Sequence, residues 1–319
     1  MNNRTLLLLF AAFVVGFAMP FAGCAGLIAA SGIALGQMSR DLASPAVPTG
    51  SGPGVALIPV EGTILSGSAG PFGQGIAASD DIIAQIQQAK DDRDAKAIVL
   101  RVNSPGGGVV ASDEIYHALQ GAGKPVVVSM GELAASGGYY ISMAADWVIA
   151  NPNTLTGSIG VISQFANAEG LLDEVGIQFI IIKSGPAKDT GSPFREMTEA
   201  ERERWQALVD EVYGNFVQVV VEGRQMNESE VRAVADGSIY TGQQALGLGL
   251  VDALGYEEDA IAKAAELGGI SGEPRIIRYP LQPNLYDLLG SGLAGRPTLP
   301  TPEEVSRWIG WPTISFLYR

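Results

Sequence analysis

Cysteine and histidine are almost absent: the 319 residues contain one of each, Cys24 and His117. A single cysteine forms no intramolecular disulfide, and one cysteine with one histidine cannot build a zinc site of the repeated Cys/His kind. A Ser-His-Asp triad would have to use His117. Positive charge is also scarce. Twenty Lys and Arg stand against 34 Asp and Glu, a net charge of −14 with no basic cluster, which argues against a phosphate-backbone partner and sets nucleic-acid binding aside. Hydrophobic residues make up 47% of the chain, ample for a core, so wholesale disorder is excluded too.

Between Arg4 and Arg40, residues 5–39 carry no charge, enough for one membrane-spanning helix of about 20 residues and too few for two. The two arginines balance, so the positive-inside signal is nearly silent. Pro20 and the nearby glycines weaken such a helix without forbidding it. Two rival readings are a lipobox at Phe21-Ala22-Gly23-Cys24, which would make Cys24 a lipidated N-terminus, and a cleaved secretory signal. Either version places the following domain outside the cytoplasm. The expected organisation is an anchor over 1–40, a Pro/Gly/Ser linker over 41–54, a folded domain over 55–270 and a tail over 271–319. The tail ends in the apolar run WIGWPTISFLY and is expected to dock on the domain, a neighbour or the membrane surface.

From residue 55 short apolar runs alternate with amphipathic ones. Strands are predicted at 55–64, 97–102, 125–130, 147–150, 158–163 and 178–182, and helices at 80–90, at 113–120 behind a Ser112 cap, and at 169–175. Thr198-Glu199-Ala200-Glu201 is a capping box opening a long helix to about Glu222, with Trp205, Leu208, Val209, Val212, Phe216 and Val220 on one stripe. His117 falls off the inward face of its helix and reads as solvated. Strand, turn and helix recur at intervals that predict an α/β stack of β-turn-α units.

Four ordered stretches carry chemistry. Residues 130–146 (MGELAASGGYYISMAAD) place Ser136 at a helix entrance, where free N–H groups and the helix dipole favour a negative oxygen. Taken alone, Ser-Gly-Gly reads equally as an N-cap followed by close-packing glycines. Residues 101–110 (RVNSPGGGVV) break a strand into a Pro-Gly turn whose N–H groups can bind an oxyanion. Residues 153–160 read NTLTGSIG, and residues 183–195 read KSGPAKDTGSPFR, a loop centred on Lys188. In this order the four stretches resemble the signal peptide peptidase A family, membrane-bound serine proteases with a Ser-Lys dyad on the ClpP/crotonase fold. The resemblance runs from about residue 55 to about residue 255.

The resemblance implies Ser136 as nucleophile, Lys188 as general base, and Ser158 as the serine that hydrogen-bonds the lysine amine. Gly137, with Gly106 or Gly107 of the turn, matches the oxyanion-hole positions. It further implies a ClpP/crotonase-like spiral behind one transmembrane helix, a cytoplasmic N-terminus with the catalytic domain extracytoplasmic, and apolar peptide substrates such as signal-peptide remnants. No cofactor or metal is implied. Family members of double length carry lysine in one repeat and serine in the other, so a single-length chain is expected to share its dyad between copies in a cyclic homo-oligomer. A free lysine amine, with a pKa of about 10.4, is protonated at neutral pH, so such a site must desolvate Lys188 and keep the adjacent Asp189 pointed away. Two other readings compete. A crotonase-type acyl-CoA enzyme is disfavoured by the membrane segment and the missing basic patch, and a non-catalytic membrane-anchored assembly module by the intact Ser136, Ser158 and Lys188.

Overall fold

The computed structural model describes residues 52–69, 75–280 and, as backbone, 315–317. The expected membrane helix, Cys24, most of the linker and most of the tail lie outside the described residues. Among the described residues no helix is long and apolar enough to cross a membrane.

The described strands are β1 (Gly54–Glu61), β2 (Thr63–Leu65), β3 (Ile76–Ala78), β4 (Ala95–Ser104), β5 (Gly106–Gly108), β6 (Val126–Ala135), β7 (Trp147–Ala150), β8 (Leu155–Gly157), β9 (Ile239–Thr241), β10 (Ala253–Leu254), β11 (Arg275–Ile277) and β12 (Ser315–Leu317). The helices are α1 (Ser79–Asp91), α2 (Val109–Gln120), α3 (Gly137–Ser142), α4 (Glu169–Glu174), α5 (Glu199–Arg224), α6 (Glu228–Val234), α7 (Gly242–Gly247) and α8 (Glu257–Leu267). The larger sheet runs β10-β7-β6-β4-β1-β11 with every neighbouring pair parallel. β8 continues alongside the end of β6 and carries β9 antiparallel on its other side. A smaller sheet runs β12-β5-β2-β3.

Alternation along the central strands explains the core. Val55, Leu57, Ala97, Val99 and Val127 face one side, where Ala260, Ala264 and Ala265 of α8 cover them. Ala56, Ile58, Ile98, Leu100, Val126 and Val128 face the other, beneath Ile86, Ile115, Ile141 and Phe216. Both faces are buried, which is why these strands read as unbroken apolar runs. The α/β class and the parallel-rich sheet agree with the sequence reading.

Four local expectations are corrected. The strand expected over 55–64 is two, because the chain turns at Gly62 with φ 91°. The helix behind the glycine turn begins at Val109, not after Ser112; Gly108 is its N-cap and the Ser112 hydroxyl donates back to the Gly108 carbonyl at 2.9 Å. The strand expected over 158–163 lies earlier, at β8, where β6 offers a partner. Residues 178–182 form no strand: no strand among the described residues pairs with them, and Ile180 and Ile182 stand 90% and 97% exposed. The capping box of α5 forms as expected, with Thr198 Oγ1 accepting from Glu201 N–H. Its apolar stripe is buried only toward the C-terminal end, at Phe216 and Val220, whereas Leu208 is exposed.

Candidate active site

Ser136 follows the last residue of β6 and caps α3, and Ser158 follows the last residue of β8. Because Ala135 pairs with Gly157 in a parallel ladder, the two serines emerge side by side, and Ser136 N–H donates to Gly157 C=O at 2.8 Å. The ladder is reinforced from the β8 side: the Thr154 and Thr156 hydroxyls donate to the β6 carbonyls of Gly131 and Ala134. Ser136 is held at φ 54°, ψ −116°, and Ser158 at φ 49°. Among the described residues only one other non-glycine has positive φ, the helix cap Gln225. Such conformations cost about 1–3 kcal/mol and persist where the surroundings over-determine them. At Ser136 the surroundings are α3, whose Tyr139 and Tyr140 hydroxyls donate to Leu250 C=O and to Asp113 Oδ1. Burial pushes both phenols far above their ordinary range, so they remain neutral donors and anchor the helix.

The glycine turn packs directly on the start of α3. A Cβ on Gly137 would lie 2.6 Å from Ser112 Oγ and 3.1 Å from both Gly106 Cα and Gly107 N, and one on Gly138 would lie 2.9 Å from Ser104 C=O. Glycine is needed here for close approach. The Gly106 N–H donates to Ser104 Oγ at 3.0 Å, and Gly107 pairs with Ile64 of β2 and Phe316 of β12. Ser136 is 1% exposed, and its hydroxyl makes no hydrogen bond among the described residues. On the outer side of the turn, β12 pairs antiparallel with β5 in the register Ser315↔Gly108, Phe316↔Gly107, Leu317↔Gly106.

Lys188 stands apart from this cluster. It lies exposed on the loop between α4 and α5, and its amine has no hydrogen-bond or ion-pair partner among the described residues. Its neighbour Asp189 points into a different network. Arg195 forks onto Asp189 (Nε to Oδ2 3.0 Å, Nη2 to Oδ1 2.8 Å) and onto the buried Glu201 of α5 (Nη1 to Oε2 2.9 Å, Nη2 to Oε1 2.6 Å). Lys183 adds a bond to Asp189 Oδ1 at 2.5 Å. Arg195, then Lys183, hold the Asp189 carboxyl well below the usual carboxylate range, and Arg195 with the Thr198 N–H does the same for Glu201. The Asp189 carboxylate is thus bonded to Arg195 and Lys183. The loop and its flanks expose Ile162, Leu171, Val175, Ile177, Ile180 and Ile182, and Phe179 is partnered by stacking on Phe194 at 3.8 Å between centroids.

One chain therefore brings together Ser136, Ser158, Gly106, Gly107 and Gly137, but not Lys188. His117 is exposed, as expected. Sequence reasoning missed Ser104 and the Arg195 network. Ser104-Pro105-Gly106 was readable as a serine turn, in which a hydroxyl accepts the N–H two residues on.

Comparison with known proteins identifies the family. The profile of peptidase family S49 matches residues 118–271. A putative protease of Synechocystis is 44% identical over 218 residues, 68% of this chain and 75% of that protein. Protease 4 of Salmonella typhi is 36% identical over 84% of this chain, which spans only 43% of its length, and a putative signal peptide peptidase of Enterococcus faecium is 39% identical over 65% of this chain and 61% of its own. A relative of such identity, three quarters covered, decides the matter: the chain belongs to peptidase family S49, the signal peptide peptidase A family.

Proposed function

We propose that this protein is a membrane-anchored serine endopeptidase in which Ser136 of one copy is served by Lys188 of the next. The observation that carries this reading is the contrast just described: two strained, register-locked serines beside a glycine turn, and a lysine on a loop whose apolar flanks are exposed among the described residues. Burying an Ile side chain contributes about 1.5–3 kcal/mol, so Ile180 and Ile182 in water forgo a sum that a second copy could supply. A heterologous contact of that kind closes into a ring.

In the proposed chemistry Ser136 Oγ attacks a peptide carbonyl while the neighbouring Lys188 amine takes its proton, oriented by the Ser158 hydroxyl. The oxyanion receives the N–H group of Gly137 together with that of Gly106 or Gly107. Collapse expels the amine, which takes the proton back from Lys188, and water then hydrolyses the acyl ester on Ser136. An extended peptide would reach Ser136 by pairing along β5, the edge where Ser315–Leu317 sits antiparallel. An anchor over residues 5–39 would place the domain at the outer face of the membrane, on a ClpP/crotonase-like spiral, with apolar peptides such as signal-peptide remnants as substrates.

The test uses the full chain in detergent. Ser136→Ala and Lys188→Ala proteins, each inactive alone, are co-assembled in equal amounts, and activity is read with an internally quenched apolar peptide. Random mixing makes roughly a quarter of the interfaces competent in such a ring, so about a quarter of wild-type activity should return. No activity in mixed oligomers confirmed by native mass spectrometry would remove the shared site. Absence of labelling of the wild-type serine by a fluorophosphonate would remove the nucleophile.

A further inference from the structure

The loop that carries Lys188 is not left to itself. The Ala187 carbonyl accepts from Thr190 Oγ1 at 2.9 Å, and the same hydroxyl lies 3.0 Å from Glu201 Oε1. On the other side of Lys188, both carboxylate oxygens and the carbonyl of Asp189 are taken by Arg195. Glu201 is itself fixed as the capping-box residue of α5, its Oε2 accepting from Thr198 N–H at 2.9 Å. Among the described residues Arg195 is thus the only side chain that joins both carboxylates, and through them it ties both flanks of Lys188 to the first turn of a 26-residue helix.

We propose that Arg195 is a positioning residue for the general base: it withholds the Asp189 carboxylate from the Lys188 amine and fixes the base loop to the start of α5. The inference rests on the reading of Lys188 as base. Its physical content is a competition for one carboxylate. A protonated amine cannot accept the serine proton, and an opposite charge within about 4–6 Å favours the protonated form by about one to three pH units. Asp189 is the residue next to Lys188, so wherever its carboxylate is not engaged it becomes that charge. Other charged groups lie on or beside the loop: the carboxylates of Asp173, Glu174 and Glu196 have no hydrogen-bond or ion-pair partner among the described residues. Lys183 joins Arg195 on Asp189, Glu169 of α4 accepts the Glu196 N–H at 2.8 Å, and on the serine side Asp113 accepts from Tyr140. Arginine suits the role because its fork meets two carboxylates at once, which a lysine point charge does not.

The experiment compares pH profiles of kcat/KM for the full-length oligomer with the quenched peptide. In Arg195→Met the rising limb should move up by about one pH unit, lowering activity at neutral pH about tenfold and recovering above the limb. Adding Lys183→Met, which removes the remaining hold on Oδ1, should move it further, whereas adding Asp189→Asn should return it toward the wild-type position. Arg195→Lys, which retains the charge without the fork, should show a smaller displacement and carries the test if Arg195→Met does not fold. A limb that stays in place while activity falls equally at all pH values, with no rescue by Asp189→Asn, would reduce Arg195 to a structural brace and overturn the proposal. A Lys188→Ala control separates the two ideas. If it is inactive and the limb does not move, only the role of Arg195 fails; if it turns over normally, the base reading fails and this inference with it.

Discussion

The serine side and the lysine side of the site are built by opposite means. Ser136 and Ser158 leave paired strands beneath α3, in a layer where Tyr139, Ile141 and Ile159 are fully buried. Lys188 belongs to a segment with no strand pairing to the sheet, braced instead by ion pairs and a capping box. The first arrangement spends hydrophobic burial on holding two serines in costly conformations; the second fixes a loop while leaving its apolar flanks in water. A nucleophile and its oxyanion donors demand sub-ångström constancy, which a close-packed core supplies. On the proposed reading Lys188 meets a partner's serine and so has to be presented outward, and charge networks can order an outward loop without burying it.

Substitutions on the two sides should therefore differ in kind. The largest effect is expected from Ser136→Ala and Lys188→Ala, each lowering turnover by about a thousandfold or more with an unchanged melting temperature, while Ser158→Ala, which disturbs only orientation, costs about tenfold. Steady-state kinetics with calorimetry on the same samples checks this, and full turnover by Lys188→Ala would merge the two sides into a single-sided site. Gly137→Ala comes next. Its Cβ would stand 2.6 Å from Ser112 Oγ, so the chain should lose about 1–3 kcal/mol of stability and about a hundredfold in turnover as the N–H shifts. Adding Ser112→Ala should restore part of the stability, and no restoration would mean that the backbone of the glycine turn sets the limit. The smallest effect on the chain itself is expected from Ile180→Asp with Ile182→Asp. Both side chains are exposed, so stability should stay within about 0.5 kcal/mol, yet native mass spectrometry should find the assembly dispersed and the activity gone. An intact, active oligomer would show that this face of the arm belongs to solvent.

Legibility in the sequence follows the same division. β7 and the capping box of α5 are local features, written in an apolar run and in Thr and Glu at fixed offsets, and they appear where they were expected; β6 starts where expected but runs on to Ala135, and the glycine stretch turns at Gly106 and then forms β5 instead of remaining a turn. The strand before Ser158 was misplaced because a three-residue strand is defined by its partner, β6, rather than by its own composition. The run Gln178-Phe179-Ile180-Ile181-Ile182 has the composition of a strand, but composition cannot state whether a partner strand lies in the same chain. Arg195, Asp189 and Glu201 converge through a loop whose path no spacing rule encodes, so their network was invisible although each residue was in plain view. The serines, glycines and Lys188 were found as a set only through the order of four motifs; single-motif reading left Ser136 as an ordinary helix cap.

The pairing of Ala135 with Gly157 also bears on how this chain tolerates insertions and deletions. Neighbouring strands lie about 4.8 Å apart whatever joins them, so the spacing between Ser136 and Ser158 is set by a hydrogen-bonded ladder and not by the length of chain that runs between them. Residues added after α3, ahead of β7, would be absorbed at the surface and leave the two hydroxyls where they are. A single residue gained or lost within β8 would turn its alternating side chains to the opposite face and carry Ser158 out of line. Length changes are therefore expected to be tolerated in the connection and not within the three residues of β8.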